Sequence, residues 1–558
     1  MHCNITLYFQ RLTLFNKRHI IMFKYFMTKS IRRIDTDITE VDQLSNLDSF
    51  DLRLFVKKLV SDTILYIPAK IIPGALGVIG VAIFTRMFKP DAYGQYILVI
   101  TTTTILTAIA SQWLLQSILR YRAQYLLSNQ ISKFNQYVTL LLIMVTSTIL
   151  LLSMALYPLY NLISEYRQYF IVALLIIISG VWFNNLITVL QADLRSLPFS
   201  LITILNGIFK FALPLILILV FQKTVINLLW GNVFAFVLAL LPIIFVYNYH
   251  PGKMQKATGQ DNKLDSISFL YFAKQFFRYG FPMIGWFLGA ELLSITDRYL
   301  IQLLRNSNEV GIYSSNYNLV ASAMALIAMP LLTAAHPLLM KAGTTVSNQK
   351  ERVQNLITLF SRYFLILAFP IILYVIIFSK EFANLFLGAE YRQGSAIIPI
   401  ALISIFIWYF AMFGHKGLEY REKTNIMFLY VMICTIAKII LNLIFIPKYG
   451  YIAAAFTTLV CFTIYPILVY VGTRTDIKWL IPWRSIMKIF LASLFTVIFL
   501  VPLKFLSIYF LWKLVIAGIV LLPIYGFSLY LVSEFKAYEL DYISNIFKGA
   551  VHGSKNKY

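Results

Sequence analysis

Apolar residues run along this chain in blocks of roughly 20, each long enough to cross about 30 Å of hydrocarbon as a helix. Polar and charged residues gather between the blocks. The pattern predicts about fourteen membrane-spanning helices. The first six lie near 62–85, 94–118, 137–156, 169–190, 199–221 and 225–247. The next six lie near 279–304, 311–335, 358–378, 395–415, 426–446 and 451–472, and a final pair covers 485–503 and 507–532. The fold class is therefore an all-α integral membrane protein. Residues 1–60 are polar and basic, and SFDLRLFVKKLV (49–60) has the pattern of an amphipathic helix on a membrane surface. The opening stretch lacks a signal-peptide layout, and Met22 and Met27 are alternative starts.

Composition agrees with this class. Of 558 residues, 59% are hydrophobic and 13% charged, where a soluble domain carries about a quarter charged. The mean hydropathy is +0.75. A net charge of +24 would suit a nucleic-acid partner only if the basic residues were gathered in one domain. They are instead spread over many loops. With the N-terminus in the cytoplasm and sides alternating, most of the 48 Lys and Arg fall inside, the usual orientation bias of membrane proteins. The basic stretch 249–278, the loop around Lys341, Lys350 and Arg352, and the tail with Lys548, Lys555 and Lys557 all land there. An even number of spans places both termini inside. The outside loops are short, the longest being 379–394, which leaves no room for an extracytoplasmic catalytic domain. There is no Gly-rich phosphate loop, acidic catalytic pair or metal cluster, so neither an enzyme nor a cofactor is expected. Cys3, Cys434 and Cys461 have no disulfide or metal spacing.

The chain also repeats itself. RMFKPDAYGQYILV (86–99) and LLRNSNEVGIYSSNY (303–317) each carry an acidic residue followed by Gly-x-Tyr, at Gly94/Tyr96 and Gly311/Tyr313. The expected organisation is a cytoplasmic basic segment (1–60), a six-helix bundle (61–248), a cytoplasmic linker (249–278), a second six-helix bundle of the same orientation (279–473), two additional helices (474–533) and a cytoplasmic tail (534–558). Parallel repeats of this kind are a transporter plan with the substrate site between the halves.

Four segments carry a family resemblance. LEYREKTNIMFLYVMICTIAKIILNLIFIPKYGYIAAAFTTLV (418–460) resembles the hallmark segment of Wzx-type O-antigen flippases, with Leu441-Asn442-Leu443, the turn Ile446 to Gly450 and the small residues Ala453 to Ala455. DRYLIQLLRNSNEVGIYSSNYNLV (297–320), SKEFANLFLGAEYRQGSAIIPI (379–400) and VAIFTRMFKPDAYGQY (81–96) are similar to further parts of that family. The resemblance implies a polysaccharide-biosynthesis transporter of the multidrug/oligosaccharidyl-lipid/polysaccharide exporter superfamily in the bacterial inner membrane. Its substrate would be an undecaprenyl-diphosphate-linked oligosaccharide. The sequence leaves a proton, a sodium ion or the membrane potential open as the driving force, and a polysaccharide polymerase would be a partner. Many Wzx-type members stop at twelve spans, whereas lipid II flippases of the same superfamily have fourteen.

Candidate site residues are the charges inside the spans, because a charge at the bilayer centre costs roughly 2.5–3.5 kcal/mol even on the lenient insertion scale. In ELLSITDRYLIQLL (291–304), Glu291, Ser294 and Arg298 share a helix face, while Asp297 points about 100° away from Arg298. Arg298 is expected to receive an anionic headgroup, with Glu291 or Asp297 tuning it; the alternative is an interhelical ion pair. Lys70 precedes Pro73 and three glycines in the first span, as a cavity cation on a bending helix or as a snorkelling side chain. Arg86 matches the family's first-helix arginine, which implies a substrate contact. Lys210 and Lys438 occupy corresponding places in the two halves and suit a diphosphate, or else anchor to lipid. Two rival functions are a multidrug exporter of the same superfamily, which would favour acidic cavity residues, and a membrane polysaccharide polymerase or glycosyltransferase, which needs the large outer loop that is missing.

Overall fold

The protein's computed structural model describes residues 49–540 except 129, 161–163, 194, 249–265, 343–348 and 537–538. The basic N-terminal segment, most of the expected linker and the basic tail lie outside the described residues, as do the side chains of the amphipathic stretch 49–60. The chain divides into two compact units, Met1–Ser61 and Asp62–Tyr558. The described part of the first is helical, and the second carries every described residue from Asp62 onward.

No strand occurs among the described residues. The long helices are α1 (Ser49–Met87), α2 (Pro90–Leu127), α3 (Ile131–Tyr160), α4 (Phe170–Ala192), α5 (Ser196–Val220) and α6 (Val225–Asn248). They continue with α7 (Ser266–Leu304), α8 (Ser307–Ala342), α9 (Gln349–Ile377), α10 (Ile397–Gly414), α11 (Thr424–Gly472), α12 (Trp483–Lys504) and α13 (Phe510–Leu531). Twelve of these are long and apolar enough to cross a membrane. The exception is α7, which carries Lys274, Arg278, Glu291, Asp297 and Arg298 along 39 residues. Helix α11, at 49 residues, bends at Gly450 (φ 61, ψ −149), so its two arms are separate spans. With α7 included and the arms counted apart, about fourteen spans result.

The bend has a local cause. A positive φ is open to glycine without steric cost, and Glu309 of α8 holds Oε2 2.6 Å from where a Cβ on Gly450 would stand. The same oxygen accepts the Tyr451 backbone N–H at 3.0 Å, and Arg305 grips the other at 2.8 Å.

Two stretches differ from the sequence-based map. Helix α7 starts at Ser266, within the expected linker, because Phe272 and Phe276 lie on one face and are fully buried against Phe134 of α3. The expected outer loop 379–394 is mostly helical, as a short α-helix Ser379–Phe386 and a 3-10 segment Ala389–Ala396.

The N- and C-terminal halves meet along α2. Ser117 donates to the Phe276 carbonyl of α7 at 2.7 Å, and Thr102 and Tyr299 hydroxyls share a hydrogen bond of 2.7 Å. The two C-terminal helices lean on α9: Tyr374 donates to the Leu514 carbonyl at 2.6 Å and Tyr525 to the Ile366 carbonyl at 3.1 Å. Arg362 of α9 then seizes the chain after α13, with Nε 2.6 Å from Glu534 and Nη1 2.6 Å from Glu539.

Candidate functional site

Arg298 is the centre of the site. It sits six residues before the end of α7, about 9 Å along the axis, and is only 8% exposed. Its Nη2 donates to Asn318 Oδ1 at 2.9 Å, and its guanidinium lies 5.8 Å from the centre of the Tyr317 ring. Its Nε is buried with no hydrogen-bond partner among the described residues. A buried donor left unmade costs free energy, so this nitrogen is poised to take an acceptor. Arg298 also acts electrostatically on Glu291, Tyr93 and Tyr299. Glu291 is half-buried two turns earlier on the same helix.

One end of this neighbourhood is closed by main-chain contacts. At Gly94 of α2 a Cβ would lie 1.9 Å from the Ser307 carbonyl oxygen, and at Gly311 of α8 one would lie 2.0 Å from the Pro90 carbonyl oxygen. Only glycine permits such approach of two backbones. The segment 379–396 reinforces the closure. Gly388 N–H donates to Thr85 Oγ1 at 3.1 Å, Tyr391 hydroxyl donates to the Phe88 carbonyl at 2.8 Å, and Arg86 reaches the Leu385 carbonyl. Tyr93 stacks edge-on against Tyr391 with ring centres 5.9 Å apart. Arg298 therefore stands just beneath a sealed end.

The sequence-nominated residues separate into groups. Arg298 and Glu291 share one site. Asp297, adjacent to Arg298, faces away into the second half. There its Oδ2 pairs with Lys438 Nζ at 2.7 Å and accepts from Tyr313 at 2.6 Å and Thr458 at 2.8 Å; its Oδ1 accepts from Asn442 at 2.8 Å. Lys438 is completely buried and donates also to the Leu293 carbonyl at 2.7 Å. Lys70 and Lys210 are both exposed, the latter 4.1 Å above the Phe236 ring. Arg86 is exposed and belongs to the closure.

Sequence reasoning missed Asn318, which orients Arg298, and the set around Asp297. Spacing held a signal for the latter: Lys438 and Asn442 are four apart on one helix face, and Thr458 comes after the turn that returns the chain alongside it. It also missed Arg122 of α2, which is 1% exposed and paired bidentately to Asp193 at 2.8 and 2.9 Å.

The model of the family described as "Polysaccharide biosynthesis protein" matches residues 59–343. No curated protein sequence matches the chain. Among solved structures, the lipid II flippase MurJ in an inward closed conformation matches with a TM-score of 0.65 at 15% identity, over 83% of this chain and 98% of that one. A multidrug resistance MATE family transporter of the MOP superfamily matches in its inward-facing form with a TM-score of 0.58 at 13% identity, over 74% of this chain and 97% of that one. An outward-facing form matches with 0.56 at 12%, over 74% and 95%. The fold is thus shared with the lipid II flippase and the MATE transporters, and the chain belongs to the polysaccharide biosynthesis protein family.

Proposed function

We propose that this chain is a flippase that moves a polyprenyl-diphosphate-linked oligosaccharide across the bacterial inner membrane by alternating access. The observation that carries this reading is the buried, unpartnered Nε of Arg298. A guanidinium presents a planar fork that matches phosphate oxygens and is worth more in a desolvated place than in water. Asn318 holds one arm of the fork, which leaves the other edge for an oxygen of the diphosphate. Lys70 and Lys210, exposed on α1 and α5, supply further positive charge to a headgroup moving between the halves. Glu291 opposes the anion and lowers its residence. The sealed end faces the outside in this reading, so the headgroup enters from the cytoplasm while the polyprenyl tail stays in lipid.

A multidrug exporter is the second reading. It rests on Glu291, a half-buried carboxylate that makes no hydrogen bond among the described residues and would attract a cationic drug. The two are told apart by replacing each charge in cells that need surface polysaccharide. Arg298→Ala is expected to lower display strongly while Glu291→Gln leaves it. Normal display with Arg298→Ala at equal expression, together with loss of drug resistance in Glu291→Gln, would reverse the assignment.

A further inference from the structure

The Lys438 ammonium lies in a place built for a cation. It is fully buried in the second half, in the first arm of α11, with oxygen acceptors at bonding distance: Asp297 Oδ2 and the Leu293 carbonyl, each at 2.7 Å. Behind them stand Thr458, whose hydroxyl donates to the same carboxylate oxygen, and Asn442, whose amide donates to Oδ1 and whose own Oδ1 accepts from Thr457. The Phe462 ring, 5.6 Å from Nζ, closes another side. Two helix segments in addition to α7 and α8 thus converge on one carboxylate, which a membrane interior tolerates only when its charge is matched.

We propose that Lys438 is a tethered cation: its ammonium permanently occupies a cage whose oxygens are Asp297 Oδ2 and the Leu293 carbonyl, with Thr458 and Asn442 donating to the carboxylate behind them, and which would otherwise bind a monovalent metal cation. The arrangement supplies a buried carboxylate and a backbone carbonyl to the ammonium, and the Thr458 hydroxyl on the facing arm stands 2.8 Å from the same carboxylate oxygen. A covalently attached occupant cannot leave. The second half is therefore held together without drawing on the ion composition of either compartment, and a coupling ion, where one is used, does not exchange at Asp297. This inference does not depend on the substrate reading, since its test reads stability rather than transport.

The test compares thermal unfolding of the purified full chain in sodium chloride and in choline chloride at equal ionic strength. Wild type is expected to melt at the same temperature in both. Lys438→Met empties the cage while keeping its volume nearly filled. It should melt below wild type in choline and recover by on the order of a few degrees in sodium, because an ion that binds only the folded state stabilises it. Asp297→Asn combined with Lys438→Met removes the attraction and should lose the sodium response. Should Lys438→Met not survive purification in choline, its recovery as a monodisperse protein in sodium alone supports the proposal. Recovery in neither salt overturns it, as does a folded Lys438→Met indifferent to sodium. A sodium response in wild type that the double variant abolishes also overturns it, for then the cage was never filled by lysine.

Discussion

Gly94 and Gly311 face each other's helix starts across the two halves. Gly94 lies against the Ser307 carbonyl and Gly311 against the Pro90 carbonyl, and 217 residues separate Gly94 from Gly311 just as they separate Pro90 from Ser307. Pro90 and Ser307 each open a helix whose first turn carries an acidic residue, Asp91 in one and Glu309 in the other. A reciprocal contact of this form is what an approximate two-fold axis between the halves produces.

Gly94→Ala and Gly311→Ala are each expected to destabilise the closed arrangement by about 1–3 kcal/mol, the usual cost of forcing extra volume into a tight contact. The double variant should cost less than the two together, because parting the helices once relieves both clashes. Thermal melting of the three variants checks this, and additive losses would argue against a shared contact.

Arg298→Ala should lower polysaccharide display about 10- to 100-fold at equal membrane abundance, as expected for losing a charge-assisted hydrogen bond to substrate. Arg298→Lys keeps the charge but not the fork, and falls between. Asn318→Ala, which frees one arm of the guanidinium, should do less harm than either. Quantitative staining of surface glycan ranks the three, and equal display by Arg298→Ala and wild type would remove Arg298 from the pathway.

Arg122→Met or Asp193→Asn should each destabilise the first half by about 3–5 kcal/mol, because each strands a buried charge. Replacing both with apolar residues of similar volume should restore much of the loss. Asn135, whose side-chain oxygen also receives Arg122, makes a simple charge swap a poor rescue. Melting temperatures of single and double variants decide it.

The latch after α13 should respond to acid. Burial alone raises the Glu539 carboxyl, but hydrogen bonds from Arg362, the Lys536 backbone and Tyr363 outweigh it and hold the group down to about 2. A carboxyl lower in the folded than in the unfolded state stabilises fully above its unfolded value and loses that contribution as pH falls toward 2. Wild type should therefore lose stability between pH 4.5 and 2 by more than Glu539→Gln does. Parallel acid titrations by circular dichroism would expose a latch that contributes nothing.

Much of this was legible because membrane helices advertise themselves by length and apolarity, and because Gly-x-Tyr recurs where two backbones must touch. The IPKYG turn also announced the bend at Gly450. Partners were not legible. Helical periodicity placed Asp297 and Arg298 on different faces, yet it could not say which distant helix each face would meet. The acceptors of Arg362 come 172 and 177 residues later. For the same reason Lys438 looked like a free cation until its fold neighbours were known.

The contacts that join the starts of α2 and α8 and the segment 379–396 have a consequence for how such a protein drifts. Ser307 and Pro90 offer carbonyl oxygens, Phe88 and Leu385 do the same, and Gly388 offers an amide. Almost every grip thus has an atom common to all residues on at least one side. Under the proposed function, side chains lining the route could be exchanged to suit a different glycan while these contacts keep their geometry, which would make cargo choice and gating separable properties of one chain.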